Sequence, residues 1–171
     1  DKLKHNLRYI YERKYEKNHV AKQRMKKPYH DFHTSNFIVK RDIMLRFSFD
    51  ERMKKYGYED VLWGKTLKDN NIKIHHIDNP LSFEKFENNA LFIAKTEEGI
   101  ATLYDFRTEL REYSNLISTT FLLEKCKLDK LICLVFNKIQ HIVKNNLTGN
   151  KPCITLFYIY KIGCFCKLLN S

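Results

Sequence analysis

The segment that most constrains the fold of this chain is residues 56–64, Tyr-Gly-Tyr-Glu-Asp-Val-Leu-Trp-Gly. It holds two adjacent carboxylates, two glycines and three large aromatic side chains. Gly57 permits a sharp bend just before Glu59 and Asp60. Carboxylates are favoured in the first turn of a helix, where backbone N–H groups are unpaired and the helix dipole is positive. The pattern therefore predicts a helix that begins at Glu59.

Two interpretations of the segment 56–64 stay open when it is considered alone. In the first, it is an acidic helix start with a tucked aromatic side chain. In the second, the aromatic side chains offer a flat face to a ring-shaped ligand such as a sugar, and the carboxylates lie beside that ligand. A pair of acids by itself favours the structural interpretation, so the choice depends on the surrounding sequence.

The sequence around this segment predicts alternating strands and helices. Residues 37–39 form a β-branched run that is typical of a buried strand, and residues 72–77 alternate like a second strand. We predict a short helix over residues 41–47, a longer one over residues 59–69, and a third over residues 84–113. This order of elements predicts the α/β fold class.

Basic residues are concentrated at the two ends of the chain, whose formal net charge is +11 at pH 7. Residues 1–27 hold ten Lys and Arg against three acids, and their apolar side chains recur at helical spacing, which predicts a basic amphipathic helix over this range. Residues 111–171 hold nine against three, and residues 114–147 are predicted to form an amphipathic helix or helix pair. Such a charge suits nucleic acid, anionic lipid headgroups or phosphorylated small molecules as partners.

Residues 153–169 are rich in aliphatic and aromatic side chains but are interrupted by lysine. A transmembrane helix needs about 20 apolar residues without interruption, so this run is too short to span a bilayer. Two interpretations remain: a helix that lies in the membrane interface, and a packing helix of a bundle. The five cysteines lie between Cys126 and Cys166 without a metal-binding spacing, and we expect free thiols that are buried or membrane-facing, in a reducing compartment.

Four motifs follow one another in the first half of the chain. They are residues 33–42 (HTSNFIVKRD), 49–51 (FDE), 57–64 (GYEDVLWG) and 76–80 (HIDNP). In this order they resemble the C-terminal half of family-2 glycosyltransferases, most closely bacterial members of the Bacteroidetes type. The resemblance covers about residues 20–105, and it rests on the shared order and spacing of motifs that are each weak alone.

The resemblance implies a fold of the GT-A type, a Rossmann-like α/β nucleotide-sugar domain of which this chain would hold the second half. Residues 1–110 would be the acceptor-side portion, and residues 111–171 a basic amphipathic helical extension with the potential to associate with a membrane. The implied reaction transfers a sugar from a nucleotide diphosphate sugar donor to a hydroxyl of a glycan or a lipid-linked acceptor. The configuration at the anomeric carbon would be inverted.

The resemblance also assigns candidate site residues. Asp60 matches the general base, and Glu59 matches its neighbour that binds the acceptor or holds the loop. A carboxylate within hydrogen-bond reach of an alcohol can take its proton as the oxygen attacks the anomeric carbon, which agrees independently with this role for Asp60. The remaining candidates for acceptor and donor binding are Thr34, Ser35, Asn36, Gly57, Tyr58 and Trp63.

A divalent metal, Mn²⁺ or Mg²⁺, is expected in the full-length enzyme to compensate the charge of the departing diphosphate. His76 is a candidate metal ligand, and the alternative is a structural histidine at a strand end. The donor half of this family carries an Asp-x-Asp metal motif, and no such motif occurs in these 171 residues. We therefore expect the isolated chain to show no sugar transfer, whether it is a fragment of a transferase or a degenerate remnant.

The expected location is the cytoplasm, with peripheral contact to the cytoplasmic face of the inner membrane. The chain opens on a charged segment rather than a secretory signal, and the missing initiator Met suggests a fragment. The expected partners are the nucleotide sugar and the glycan or lipid-linked acceptor, and nucleic acid is not expected. The alternative function is a non-catalytic basic module that binds nucleic acid or an anionic membrane surface, which the charge of residues 1–27 favours.

Overall fold

The computed structural model describes residues 2–82 and 85–171, and within these ranges the chain is helical and forms no β-strand. The α-helices are α1 (Leu7–Tyr15), α2 (Ala21–Arg24), α3 (Arg41–Arg46), α4 (Glu59–Asp69), α5 (Asn89–Asp105), α6 (Asn115–Lys125), α7 (Asp129–Thr148) and α8 (Ile154–Leu169). Short 3₁₀ helices occur at Lys2–His5, Glu16–Asn18 and Arg111–Tyr113. The last four α-helices form a bundle, and α1 packs on it.

Side-chain caps begin three of the helices. Asn6, Asn88 and Ser114 each accept a hydrogen bond from the backbone N–H three residues later, at 2.9, 2.8 and 3.4 Å. Each bond satisfies an N–H group that has no partner inside the first turn of its helix. The amide of Asn89 also donates to the carbonyl of Gly149 at 3.0 Å, which fixes the start of α5 against the end of α7.

Helix α8 lies in the middle of the bundle and packs against α1, α5, α6 and α7. Phe157 stacks on Phe92 of α5, with 5.4 Å between the ring centroids. Gly163 faces Phe136 of α7, and a Cβ at residue 163 would lie 2.3 Å from that ring. The two helices therefore approach this closely because residue 163 has no side chain. Of the two interpretations of residues 153–169, the structure has the packing helix.

Three clusters of buried apolar side chains hold the helices together. The first joins α1, α5, α7 and α8 through Leu7, Ile93, Phe136, Val143, Leu147 and Phe157. The second joins α4, α5, α6 and α8 through Leu62, Ile100, Leu103, Ile117 and Phe165. The third packs α4 against the segments on either side of it through Phe32, Trp63 and Leu67. The first two clusters include residues from both sides of position 110, where the predicted division into two parts lies.

The predicted α/β fold class, with the GT-A sheet that it implied, is wrong for the described residues. Segments 37–39 and 72–77 pair with no other strand in the described part of the chain, and the one backbone carbonyl to which their N–H groups donate is that of Leu67 at the end of α4, bonded by Ile72 at 2.9 Å. Ile38 is fully exposed, with 100% of its surface open to solvent. Alternation of side chains favours an extended backbone, but a sheet also needs a partner strand beside it, and neither segment has one here.

The helices were predicted more accurately than the strands. The structure confirms the helix over residues 59–69, the short helix after residue 40, and the helix pair within residues 114–147. The predicted helix over residues 84–113 is shorter, since α5 ends at Asp105, and residue 84 lies outside the described residues. The single basic helix predicted over residues 1–27 is wrong, because the described part is divided among α1, α2 and two 3₁₀ turns.

No helix in the described ranges is long and apolar enough to cross a bilayer. The prediction of free thiols is confirmed for all five cysteines. Cys133 and Cys166 are buried in the bundle, whereas Cys126 and Cys153 are exposed. Burial raises the pKa of the Cys166 thiol to about 11, so this side chain behaves as a small apolar group at neutral pH.

Candidate functional site

The site begins at the bend that precedes α4. Gly57 has φ of +98° and Tyr58 has φ of +68°, so two consecutive residues adopt backbone conformations with positive φ. A Cβ on Gly57 would lie 3.2 Å from the Cα of Gly99 in α5, which leaves little room for a side chain. Thr102 of α5 holds the preceding residue, because its hydroxyl donates to the carbonyl of Tyr56 at 3.0 Å. The bend is thus fixed to the bundle, and it sets the direction in which α4 begins.

Asp60 lies in the first turn of α4 and is half-buried. Its Oδ1 accepts a hydrogen bond from the N–H of Val61 at 2.8 Å. Its Oδ2 lies 3.4 Å from Nδ1 of His33, which is more exposed. The ring of His33 in turn stacks on that of His19, with 6.0 Å between the centroids. A carboxylate and an imidazole therefore face each other at the helix start, while the neighbouring Glu59 is exposed.

His33 received no role from the sequence, although it is the first residue of the first motif. It lies 27 positions before Asp60, and no helical or strand spacing connects the two residues. The relevant signal was the motif order, which placed residues 33–42 and 57–64 in one family pattern. The structure adds the contact between the two motifs.

Tyr58 lies on the bundle side of the bend and packs against the second core cluster. Burial, with a smaller contribution from the negative charge of Asp60, raises the pKa of Tyr58 to about 12. The phenol is therefore neutral over the whole physiological range. Tyr58 therefore belongs to the bundle side of the bend, and it does not line the groove between the segments that flank α4.

An open groove of about 890 Å³ lies between the extended segments on either side of α4. Four of the predicted site residues line it, from three of the motifs: Ser35, Asn36, Trp63 and His76. His33, which had no predicted role, lines it as well. The other predicted site residues, Thr34, Gly57, Tyr58, Glu59 and Asp60, lie outside its lining. Asp60 is connected to the groove through its contact with His33.

Trp63 is the buried centre of an aromatic cluster at the groove. Its indole N–H donates to the carbonyl of Phe47 at 2.5 Å. The rings of Phe32, Phe37 and Phe49 surround it, with centroids 5.1 to 5.6 Å away. Phe37 is exposed, so the cluster presents an aromatic face to solvent at the groove. Rings of this kind stack on flat apolar faces of ligands.

Two polar contacts hold the far wall of the groove. The side-chain amide of Asn36 donates to the carbonyl of Asn79 at 2.8 Å, which joins the two extended segments. Nε2 of His76 lies 2.9 Å from the carbonyl of Pro28. Since a carbonyl only accepts, this contact requires a proton on Nε2, and in the neutral ring Nδ1 then carries the lone pair.

The described residues do not assemble a divalent-cation site. They contain no group of three or more His, Cys, Asp or Glu side chains placed to hold a metal ion. His76, the candidate ligand, uses Nε2 to contact a backbone carbonyl. The role of His76 as a metal ligand therefore stays a prediction of the resemblance.

Comparisons with known proteins add no family to this picture. Searches with family models, curated protein sequences and solved structures found no match. The site must therefore be judged from its own geometry. That geometry consists of a half-buried carboxylate beside an imidazole, next to an aromatic groove with amide groups on its wall. Such an arrangement can take a proton from a hydroxyl group and can bind a ligand that has both apolar faces and hydroxyls.

Proposed function

We propose that this chain supplies the acceptor-binding part of an inverting sugar transferase, with Asp60 as the general base. The observation that carries the proposal is the 3.4 Å contact between Oδ2 of Asp60 and Nδ1 of His33. It joins two motifs of the family resemblance at one point beside the groove. The proposal rests on these side chains and on the order of the motifs, and it does not depend on the sheet that the resemblance implied.

The proposed reaction uses Asp60 as proton acceptor. The hydroxyl oxygen of the acceptor attacks the anomeric carbon of a nucleotide diphosphate sugar, and the hydroxyl proton passes to Oδ2 of Asp60. The bond between that carbon and the phosphate oxygen breaks, and the nucleoside diphosphate leaves with the electron pair. Oδ1 is already hydrogen-bonded to the N–H of Val61, which leaves Oδ2 for this step. His33 is a positioning residue that faces Oδ2 and fixes the orientation of the carboxylate.

The groove suits a glycan acceptor or the glycan part of a lipid-linked acceptor. Its volume of about 890 Å³ lies within the range of small-molecule sites in proteins. The exposed ring of Phe37 offers a face on which a sugar ring can stack. Ser35 and Asn36 lie next to it and can hydrogen-bond to hydroxyl groups. The nucleotide sugar is assigned to a donor half that carries the Asp-x-Asp motif, which this sequence lacks.

The first test measures sugar transfer by the full-length protein that contains these residues. We expect Asp60→Asn to lower kcat by at least about 100-fold, the usual contribution of a general base. Affinity for the nucleotide sugar should stay within about threefold, because the donor is bound elsewhere. Glu51→Gln is the matched control, since Glu51 is an exposed acid of another motif and should retain full activity. Retained turnover in Asp60→Asn would exclude Asp60 as the base.

His33 is tested separately, because a positioning role has its own signature. We expect His33→Ala to lower kcat by about tenfold and to shift the acidic limb of the pH–kcat profile, while KM for the acceptor changes little. His33→Asn should restore part of the rate, since an amide N–H at this position can donate to Oδ2. A rate loss in His33→Ala with an unchanged pH profile would contradict the positioning role.

A further inference from the structure

Helix α7 is apolar on two opposite sides. One side carries the buried residues Cys133, Phe136, Val143 and Leu147, which face the bundle. The other side carries Leu131, Leu134, Val135 and Ile142, whose exposed fractions lie between 50% and 69%. At 100° per residue, these four positions and Lys138 fall within about 100° of the helix circumference. We call these five residues the outer face of α7.

An exposed apolar face of this size needs an explanation, because soluble monomers rarely leave several large aliphatic side chains together in water. The inner side of α7 already supplies the packing of the bundle, through Phe136 against Gly163 and Tyr160. The outer face therefore contributes nothing to the core of the described chain. It is free to meet another surface.

The charges around the outer face are almost all positive. Helix α7 contains Lys130, Lys138 and Lys144 and a single acid, Asp129. Lys144 pairs with Glu97 of α5 at 2.6 Å. Lys130 and Lys138 form no ion pair with any described residue, so their charges remain available. An apolar helix face with lysines on it is the pattern of helices that lie on anionic membrane surfaces.

The position of Lys138 favours a membrane over a second copy of the chain. It lies four residues after Leu134 and four before Ile142, in the middle of the outer face. A symmetric dimer through this face would place two such lysines close together among aliphatic side chains, which is costly. At a bilayer the lysine stem can lie along the apolar boundary while the ammonium reaches a lipid phosphate.

We propose that the outer face of α7 docks on an anionic lipid bilayer. Leu131, Leu134, Val135 and Ile142 enter the boundary between headgroups and acyl chains, and Lys130 and Lys138 contact lipid phosphates. This places the membrane contact on α7 rather than on residues 153–169, for which an interfacial helix was one of the two interpretations of the sequence. On α8 a single large apolar side chain, Ile159, is exposed, and Phe157 and Phe165 are buried in the bundle. The proposal is independent of the proposed sugar transfer.

The test is co-sedimentation of the chain with vesicles of phosphatidylglycerol and, separately, of phosphatidylcholine. We expect binding to phosphatidylglycerol vesicles that weakens as salt is added, and about tenfold weaker binding to phosphatidylcholine. Leu134→Asn and Lys138→Glu should each lower the affinity for phosphatidylglycerol vesicles by about tenfold. Both side chains are exposed, so circular dichroism should show an unchanged helical content.

Two variants outside the outer face are matched controls. Leu122→Asn changes an exposed leucine of α6, and Lys54→Glu changes an exposed lysine of the segment before α4. Neither substitution should alter vesicle binding. Equal losses in the outer-face variants and their controls would overturn the proposal, as would equal binding to both vesicle types. Sedimentation velocity provides a further test. If the chain does not bind vesicles but forms a dimer, and Leu134→Asn dissociates that dimer, the proposal is overturned and the outer face is assigned to a second copy of the chain.

Discussion

The bundle of α5 to α8 and the groove beside α4 differ in how completely their groups are paired. In the bundle, backbone groups bond within helices and aromatic side chains such as Phe157 are buried from all sides. At the groove, the extended segments 37–39 and 72–77 carry exposed aliphatic side chains and have no ladder of backbone bonds in the described chain. The bundle therefore supplies most of the stability, whereas the groove exposes side chains that a ligand could contact.

The largest expected contrast between the two regions comes from truncating one large apolar side chain in each. Phe157→Ala removes a side chain that is 2% exposed at the centre of the first core cluster. We expect it to lower the free energy of unfolding by about 4 kcal/mol, as is usual for a buried phenylalanine. Ile38→Ala at the groove should change it by less than about 0.5 kcal/mol, since the side chain lies entirely in solvent.

Urea denaturation followed by circular dichroism measures both variants of this pair. Similar losses in Phe157→Ala and Ile38→Ala would show that the groove segments contribute to the folded core, contrary to the contrast drawn above.

A second contrast adds a methyl group instead of removing a side chain. Gly163→Ala places a Cβ 2.3 Å from the ring of Phe136 and forces α7 and α8 apart. We expect a loss of about 2 kcal/mol or more from this overpacking. Gly99→Ala is the matched control, because its Cβ would meet Tyr56 only at 3.8 Å. Alanine in a helix should then be neutral or stabilising by up to about 1 kcal/mol.

Thermal unfolding compares the two glycine variants under the same conditions. An unchanged melting temperature in Gly163→Ala would show that the contact between α7 and α8 is looser than the structure has it.

The third and smallest contrast is the pH dependence of stability, which reports whether Tyr58 packs against the bundle or lies at the groove. Its pKa is raised from 10.0 to about 12, mainly by burial. A tyrosine with a raised pKa in the folded chain stabilises the fold below pH 10. That contribution is lost as the pH rises towards 12, because the unfolded chain gives up the proton first. Tyr58→Phe should therefore reduce the fall in stability between pH 10 and 12, by about 2 kcal/mol at most.

Denaturation at several alkaline pH values, with absorbance at the tyrosinate band, follows this titration. A Tyr58 that ionises near pH 10 in the folded chain would place the ring at the solvent-exposed groove rather than against the bundle.

The helices were predictable because their signals are local. The acids Glu59 and Asp60 mark the start of α4, and two asparagines mark its end, so the bounds could be derived from a few adjacent residues. Segment 72–77 has an equally clear local pattern, yet the prediction of a strand there was wrong. Pairing depends on a second segment at the right distance, which a local pattern does not encode.

The candidate site was predictable only in part, for a related reason. Its residue types and motif order could be read from the sequence, and four of the predicted residues, Ser35, Asn36, Trp63 and His76, line one groove. The contact of His33 with Asp60 could not be predicted, because it depends on the path of the chain over 27 residues. The position of Tyr58 on the bundle side was equally inaccessible, since it follows from a positive φ at a residue that rarely adopts one.

Helix α4 contacts both regions, and this bears on the proposed role of Asp60. Leu62 is part of the second core cluster, while its neighbour Trp63 is part of the third. Two separate clusters of buried side chains therefore hold α4 in place, and its packing against the bundle fixes the position of Asp60. We therefore expect ligands of different length to reshape the groove walls without displacing the carboxylate. On the proposed function, the bundle would fix the position of the base, and the groove could adapt to different acceptors.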